Sequence, residues 1–195
     1  MNNNKDILKM IPTPALLINE LLLKTNVNKM QDLANLSEVN LRPHTKTHRT
    51  PKIAQFQIES GSIGITVATT GEAECMYESG IHDIFIANEI ADEEKLIRLK
   101  RLVALGCDLK IGADNSQHIK LAQSVFSNCE YRLKLLVEID VGDGRAGVQD
   151  FETALKLVQM IDAQNNLEFA GVFSHEGQSY GATTIEECKK VSQES

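Results

Sequence analysis

A regular alternation of short apolar runs with helical stretches is the strongest constraint on the fold of this 195-residue chain. From the second run onward, the apolar runs begin at positions 41, 63, 83, 108, 133 and 169. The predicted strands are Pro14–Asn19, Leu41–Thr47, Ile63–Ala68, Asp83–Asn88, Asp108–Gly112, Leu133–Asp140 and Phe169–Ser174. Strands that alternate with helices at this spacing predict successive βα units and a parallel sheet.

Residues that start and stop helices lie between the predicted strands. Thr50-Pro51 places a capping hydroxyl and an N1 proline before one helix, and Gly61 follows its last turn. Further helix starts are predicted at Thr70, Asp92, Asn115 and Asp150, and further stops at Gly80 and Gly106. Thr184-x-x-Glu187 is a capping box, which predicts one more helix near the end of the sequence.

The number of units leaves two architectures open. Six βα units follow from Leu41 onward. An eight-stranded barrel needs two more units and typically about 250 residues, whereas an open doubly wound sheet can close with six strands. The local pattern therefore predicts an α/β protein that is either a complete open sheet or a shortened barrel.

Composition excludes several classes of protein. The net charge of −7 and the lack of a basic patch argue against a nucleic-acid partner. No apolar stretch approaches the roughly 18 residues of a membrane span, and the N-terminus lacks the apolar core of a signal peptide. The cysteines are far apart, so we expect free thiols in a reducing cytoplasm; they are Cys75, Cys107, Cys129 and Cys188.

The segment LRPHTKTH at 41–48 is the densest group of candidate functional residues. A strand here would place four basic side chains on one face, because residues two apart share a face. They are Arg42, His44, Lys46 and His48. An edge strand with a solvated basic face would explain the pattern structurally. A reactive lysine in an anion-binding site would explain it functionally, because buried cations are costly unless an anion or cofactor receives them.

Two more segments follow predicted strands, at the carboxyl ends where active sites of α/β proteins form. EIDVGDGRAG at 138–147 combines three glycines, which permit tight turns, with Arg145. GVFSHEGQSY at 171–180 contributes His175 and Tyr180. A glycine-rich loop and a structural histidine remain the alternatives. Polar residues at the carboxyl ends of two other predicted strands either line a site together with these segments or cap the following helices. They are Asn88, Glu89, Asp114 and Asn115.

Together these segments resemble the fold-type III pyridoxal-phosphate enzymes, and among them the D-threonine aldolase and D-serine dehydratase group. The resemblance runs over 12–180 and is carried by TPAL at 13–16, RPHTKTHR at 42–49, GEAE at 71–74, IFIANE at 84–89 and EIDVGDGRAGV at 138–148. It implies an alanine-racemase-like fold, a TIM-type (β/α)8 barrel that is truncated here to about six βα units.

The resemblance also implies roles for four residues. Lys46 matches the lysine that holds pyridoxal 5'-phosphate as an internal aldimine, and Arg145 matches the arginine that contacts the cofactor's phenolic oxygen in alanine racemases. His175 matches a histidine beneath the pyridine ring, and Tyr180 lies in a stretch similar to the H-x-G-x-x-Y of the dehydratase branch. The implied activity is that of a lyase on a small D-3-hydroxy amino acid, by D-serine dehydration or D-threonine retro-aldol cleavage.

The resemblance further predicts how the chain is divided. In the family the barrel is followed by a β-rich domain, which supplies the ligands of a divalent metal (Zn or Mn) and pairs with the first strand. We therefore expect residues 1–24 to form an N-terminal segment whose strand would pair in that domain. Residues 25–195 would form an incomplete pyridoxal-phosphate-binding barrel without metal ligands. A complementary C-terminal fragment or a second copy would be its partner.

Three other functions remain open at this point. A non-catalytic barrel that carries pyridoxal phosphate is favoured by the length of the chain. An amino-acid racemase is less consistent with the segment around Lys46, which differs from the racemase type. An α/β domain without any cofactor is the third alternative. The segments RPHTKTH and DVGDGRAGV favour the lyase group over all of these.

Overall fold

The computed structural model describes the backbone of residues 8–194 and side chains up to residue 193. Two compact units divide the chain, Met1–Asn40 and Leu41–Ser195. In the first unit, helix α1 spans Glu20–Leu36, and Asn19 caps it by accepting a hydrogen bond from the backbone N–H of Leu22. The boundary expected between residues 24 and 25 falls inside this helix.

The strand predicted at Pro14–Asn19 is not formed, because residues 15–19 have no regular secondary structure. A strand needs a neighbour that accepts and donates its hydrogen bonds. Among the residues that the structure describes, no segment pairs with 15–19. Pairing of this segment in a β domain stays a prediction.

The second unit is a parallel five-stranded sheet with helices between its strands. The strands are β1 (Ile65–Val67), β2 (Asp83–Glu89), β3 (Asp108–Ala113), β4 (Leu133–Ile139) and β5 (Leu167–Ser174). The helices are α2 (Pro51–Glu59), α3 (Thr70–Glu78), α4 (Glu93–Ala104), α5 (Ser116–Phe126), α6 (Phe151–Asp162) and α7 (Ile185–Glu194). Short 3-10 turns occupy Thr45–Thr47 and Gly177–Gly181.

The order of the strands decides between the two architectures left open by the sequence. The sheet order is β1-β2-β3-β4-β5, and every neighbouring pair is parallel. A doubly wound sheet reverses direction at a switch point, whereas a βα barrel adds each strand beside the previous one. The fold is therefore that of a truncated TIM-type barrel, with five strands in the described part.

The prediction of a strand over Leu41–Thr47 is wrong. The backbone of this segment joins β1 through an isolated bridge between His44 and Thr66, with a 2.8 Å hydrogen bond from the N–H of Thr66 to the carbonyl of Pro43, and not through a continuous ladder. Pro43 has no N–H to contribute to a ladder. From Thr45 the chain turns into a 3-10 helix, because the ring of His44 accepts the N–H of Lys46.

Most predicted helix starts are confirmed by their capping hydrogen bonds. Side chains of Asp92, Asn115 and Asp150 accept backbone N–H groups at the starts of α4, α5 and α6. The capping box between Thr184 and Glu187 is also formed. Two details differ: Thr69 rather than Thr70 caps α3, and Thr50 precedes α2 without a side-chain cap. The Thr50 hydroxyl donates instead to the carbonyl of His48.

The core lies where the helices pack on the sheet. Alternate residues of the strands are almost completely buried there, together with the apolar faces of the helices. The largest fully buried side chains include Ile84, Ile86, Leu109, Leu135 and Leu99. Because successive strand residues point to opposite faces, the residues between them face the other, inner side of the sheet, as Phe85 and Lys110 do.

A chain of ion pairs joins the amino ends of the strands. Asp83 contacts Arg42 and Lys110, each at 2.8 Å, and Asp108 contacts Lys110 at 2.9 Å and Lys134 at 2.8 Å. Partial burial raises the pKa of Asp83, but hydrogen bonds from Arg42 and Lys110 outweigh it and hold the pKa below its usual value. These ion pairs lie at the amino ends of the strands, so they are separate from the residues at the carboxyl ends.

The four cysteines are free thiols, as the sequence predicted. Burial raises the pKa of the Cys107 thiol to about 12, so this side chain is unreactive at neutral pH. The described helices include none with the length and apolar character that a membrane crossing requires. The cytoplasmic location inferred from the cysteines stays a prediction.

The packing of α4 predicts a contrast between two leucines. Leu99 is fully buried, whereas Leu105, the C-terminal cap residue, is 69% exposed. We expect Leu99→Ala to lower the free energy of unfolding by about 2–5 kcal/mol, because it leaves a cavity in the core. Leu105→Ala is expected to change it by less than about 0.5 kcal/mol. Urea denaturation measures both, and equal effects would contradict the described core.

Candidate active site

All five strands end at the same edge of the sheet, which we call the carboxyl-end rim. Three segments singled out in the sequence lie there: the 3-10 turn Thr45–Thr47, the loop after β4 and the loop after β5. The 3-10 turn and the loop after β5 are close enough to interact electrostatically. The charges of Lys46, Glu72 and His175 all affect the pKa of the His44 imidazole. The fold therefore joins residues that are far apart in the sequence.

Lys46 is presented by a turn that its neighbours hold in place. His44 Nδ1 accepts the backbone N–H of Lys46 at 3.2 Å, and the buried Thr45 hydroxyl donates to the carbonyl of Thr66 at 3.3 Å. The Lys46 side chain is exposed, and its ammonium makes no hydrogen bond or ion pair with the described residues. Its amine is thus accessible from the carboxyl-end rim.

The turn depends on a neutral His44. Burial, together with the nearby positive charge of Lys46, lowers the pKa of His44 below 6.5. The neutral ring can accept the Lys46 N–H at Nδ1, and the protonated ring cannot. The stabilisation from this contact is therefore present above pH 6.5 and is lost as the pH falls through the lowered pKa.

The four basic side chains of the 41–48 segment do not share a face, contrary to the prediction. Arg42 points to the amino ends of the strands and pairs with Asp83. His44 and Lys46 lie at the carboxyl-end rim, and His48 turns back to accept the N–H of Thr50 at 3.0 Å. The 3-10 turn breaks the two-residue alternation on which the prediction rested.

The loop after β4 folds around the carboxylate of Asp140. One oxygen accepts the N–H groups of Gly142 and Gly144, both at 3.0 Å, and the other accepts the Gln149 amide at 3.0 Å. These hydrogen bonds, that of Gly144 first, lower the pKa of Asp140. At Gly147 φ is 98°, and an added Cβ would lie 2.6 Å from the Asp140 nitrogen. Only glycine fits at that position.

Asp143 connects the loop after β4 to the loop after β5. Its carboxylate lies 3.3 Å from His175 Nδ1 and 3.9 Å from Arg145 Nε. An added Cβ at Gly177 would overlap the Asp143 carboxylate, so the glycine permits this approach. His175 Nδ1 is buried and makes no hydrogen bond among the described residues. The His175 ring meets Tyr180 edge-on at 5.9 Å.

The predicted site residues thus fall into two groups at one rim. Lys46 follows His44 on the 3-10 turn, the His44 imidazole lies within electrostatic range of His175, and His175 is close to Asp143, which Arg145 also approaches. The Arg145 side chain is 57% exposed and Tyr180 is 80% exposed. Their roles toward a cofactor stay predictions.

The remaining polar candidates divide between capping and the rim. Asn115 caps α5, as its alternative interpretation predicted. Asp114 accepts the N–H of Gly147 at 3.2 Å and so ties the end of β3 to the loop after β4. Asn88 donates to the carbonyl of Ala68 at 3.4 Å.

Sequence reasoning missed three carboxylates at this rim. Glu72 accepts the N–H of Ala68 and contacts Arg49 at 3.0 Å. From the sequence alone, Glu72 is recognisable only as a residue in the first turn of a helix. Asp143 was one of several acidic residues in a loop. Glu138, 4% exposed in β4, was predicted only as part of a segment. A charged residue inside an apolar strand was the signal that could have found it.

Comparison with known proteins identifies the family. Residues 18–193 match the family model of the alanine racemase N-terminal domain. The chain belongs to this family. It is 32% identical to a D-threonine aldolase of Arthrobacter sp. over 95% of this chain and 49% of the relative. It is 30% identical to a D-serine dehydratase of Dictyostelium discoideum over 98% of this chain and 51% of the relative.

A solved structure shows the same fold. The D-threonine aldolase of Filomicrobium marinum superposes with a TM-score of 0.89 and 30% identity, over 94% of this chain and 49% of that one. The chain thus spans about half the length of the relatives that it matches. D-threonine aldolase and D-serine dehydratase are the group that the sequence resemblance named.

The residues at the carboxyl-end rim fit pyridoxal phosphate. The unpaired amine of Lys46 suits the cofactor's aldehyde. His175, whose buried Nδ1 lies 3.3 Å from the Asp143 carboxylate, places a held aromatic ring at the same rim. No group of three or more potential metal-binding side chains occurs in the part of the chain that the structure describes. The metal in longer relatives therefore stays an expectation from the resemblance.

The glycines of the loop after β4 generate a matched prediction. Gly147→Ala forces a Cβ against the backbone of Asp140, whereas a Cβ at Gly144 (φ 65°) meets no atom within 4 Å. We expect Gly147→Ala to lower the free energy of unfolding by several kcal/mol, on the order of 2–4. Gly144→Ala is expected to cost about 1 kcal/mol from its positive φ alone. Thermal denaturation measures the stability of both variants. A larger loss of stability in Gly144→Ala than in Gly147→Ala would contradict the described loop geometry.

Proposed function

We propose that this chain is the lysine-bearing part of a pyridoxal-phosphate-dependent lyase that acts on D-3-hydroxy amino acids, with Lys46 as the cofactor lysine. The observation that carries the proposal is the convergence of Lys46, His44 and His175 at one rim of the barrel. The similarity to an aldolase and a dehydratase over nearly the whole chain supports the substrate class.

The chain's own residues account for several requirements of such chemistry. When bound, pyridoxal phosphate acts as an electron sink for a carbanion at the substrate's Cα. Lys46 would supply an exposed amine, which suits both covalent attachment of the cofactor and proton transfer at Cα. Neutral His44 holds the Lys46 backbone in place, and Asp143 beside Nδ1 orients the His175 ring. In the proposed arrangement, Arg145 brings a positive charge to the cofactor's phenolic oxygen.

Reduction with borohydride in the presence of pyridoxal phosphate tests the cofactor lysine. We expect a phosphopyridoxyl adduct confined to Lys46, located by peptide mass mapping. Lys46→Ala is expected to abolish the adduct. Lys52→Ala is the matched control, because Lys52 is also exposed and lies in the first turn of the next helix, and it should leave the labelling unchanged. Folded protein without an adduct at Lys46, or labelling spread over many lysines, would contradict the proposal.

The same labelling tests the substrate class. The amino group of a bound substrate competes with Lys46 for the cofactor, so D-threonine or D-serine added before reduction should lower labelling of Lys46. L-Threonine at the same concentration is the control and should protect less. Equal protection by both enantiomers, with Lys46 labelled normally in their absence, would contradict the D-amino acid class while leaving the cofactor site intact.

We also propose that a complementary chain segment covers the free edge of β5. The support is an apolar recess of about 430 Å³ between α6 and β5, where Val172 is 59% and Phe151 78% exposed. Relatives twice as long as this chain contain a further half that would supply such a segment.

Co-expression with the half of the Arthrobacter relative that this chain does not match tests the covered edge. We expect the two pieces to purify together and Val172→Asp to separate them. Leu105→Asp, at an exposed apolar residue that caps the C-terminus of α4, should leave them associated. Sedimentation that shows a stable dimer of this chain alone, through the same edge, would instead identify a second copy as the occupant and contradict the proposal.

A further inference from the structure

The loop after β4 is attached to its neighbours on both sides at the carboxyl-end rim. On the side of β5, Gln178 Nε2 donates to the carbonyl of Val141 at 2.8 Å. On the side of β3, the N–H of Gly147 donates to Asp114 Oδ2 at 3.2 Å. Asp114 directly follows β3 and is separated from Gly147 by 33 positions in the sequence. The second contact therefore joins two consecutive βα units.

The Asp114 carboxylate is itself held by residues at the start of α5. Asn115 Nδ2 donates to Asp114 Oδ1 at 3.0 Å, and His118 Nδ1 lies 3.1 Å from the same oxygen. Asn115 is fixed in turn, because its Oδ1 accepts the N–H groups of Gln117 and His118 at the helix start. The Asp114 and His118 side chains are both mostly buried. One carboxylate oxygen thus faces the helix, and the other serves the loop.

The contact with Asp114 lies where the loop returns to β4. The next residue after Gly147 is Val148, whose N–H donates to the carbonyl of Glu138 at 2.9 Å. The carbonyl of Val148 accepts the N–H of Asp140, also at 2.9 Å. These two hydrogen bonds close the loop on its own strand, and the bond from Gly147 attaches the same closing segment to the end of β3.

The enclosed part of the loop carries two charged side chains, Asp143 and Arg145. The Asp143 carboxylate lies 3.3 Å from His175 Nδ1, and Arg145 Nε lies 3.9 Å from Asp143. More than half of the Arg145 side chain is exposed, so packing around it does little to fix its place. The location of both side chains therefore depends on the backbone of the loop and on the attachments that hold it.

We propose that Asp114 is a positioning residue whose carboxylate fixes the loop after β4 at Gly147. Through the loop it keeps Asp143 against the His175 ring, and it places Arg145, two residues before the attachment. Without the carboxylate, the partly buried N–H of Gly147 loses its partner, which costs free energy and lets the closing segment open more often. The inference rests on the proposed function only where Arg145 serves a cofactor. The attachment itself is a property of the chain without any ligand.

Hydrogen exchange of the Gly147 amide in the cofactor-free chain tests the attachment. We expect Asp114→Ala to raise the exchange rate at Gly147 about tenfold or more, because a hydrogen bond to a carboxylate is lost. Asp114→Asn has the same size and keeps an oxygen that can accept the N–H, so its exchange rate should lie between those of the wild type and Asp114→Ala.

Asp92→Ala is the matched control for this measurement. Asp92 is also an aspartate that accepts a backbone N–H, at 2.8 Å, but at the start of α4. Its replacement should leave exchange at Gly147 unchanged. Wild-type exchange at Gly147 in both Asp114 variants, or the same acceleration in Asp92→Ala, would overturn the attachment.

The imidazole signals of His175 in the same cofactor-free chain test the positioning. Asp143→Ala removes the carboxylate beside the ring and should shift these signals. We expect Asp114→Ala to shift them in the same direction, whereas Asp92→Ala leaves them in place. In Asp114→Ala/Asp143→Ala the signals should match those of Asp143→Ala alone, because Asp114 acts on the ring through Asp143. Unchanged signals in Asp114→Ala, or shifts that add in the double variant, would overturn the positioning role.

Failure of this inference is distinguishable from failure of the proposed function. Neither measurement contains pyridoxal phosphate, whereas the proposed function depends on an adduct at Lys46. A chain without the adduct, in which Gly147 and His175 respond as expected, would contradict the proposed function and confirm Asp114 as the residue that positions the loop.

Discussion

The parallel alignment of five strands in chain order is the constraint on which the rest of the structure depends. It collects the carboxyl end of every strand at one rim, so that segments over a hundred residues apart in the sequence, such as those of His44 and His175, become neighbours. The ion pairs of Asp83 and Asp108 occupy the opposite end. Charged side chains at the amino ends are thus paired within the protein, whereas the exposed ammonium of Lys46 at the carboxyl-end rim has no partner among the described residues.

The reactive lysine is presented by backbone hydrogen bonds rather than by a strand. A lysine on a buried strand would have to lose its hydration, at a high free-energy cost. The turn after His44 keeps the Lys46 ammonium exposed while Thr45 anchors the backbone to β1. On the other side of the rim, glycines allow Asp140 and Asp143 to approach backbone and imidazole closely. Both arrangements place polar groups at the carboxyl-end rim.

Periodicity predicted much of the fold, and residue type identified segments that meet at the carboxyl-end rim. The strands β2 to β5 lie within two residues of their predicted bounds, because each is a buried apolar run between helix caps. The 41–48 segment failed because its outcome depends on one side-chain contact, His44 to the Lys46 N–H, that competes with a strand. The approach of Asp143 to His175 could not be predicted, because it depends on how the loops after β4 and β5 fold against each other at Gly177.

The central claim is that one ligand site lies between the turn of Lys46 and the loop of His175. Histidine imidazole spectra recorded while pyridoxal phosphate is added test it most directly, because the five histidines are distributed over the molecule. The account predicts that the signals of His44 and His175 move together at one saturating concentration, while that of His82, before β2 at the amino ends, stays fixed. Movement of His82 alone, or of neither rim histidine as the cofactor binds, would contradict a site at the carboxyl-end rim.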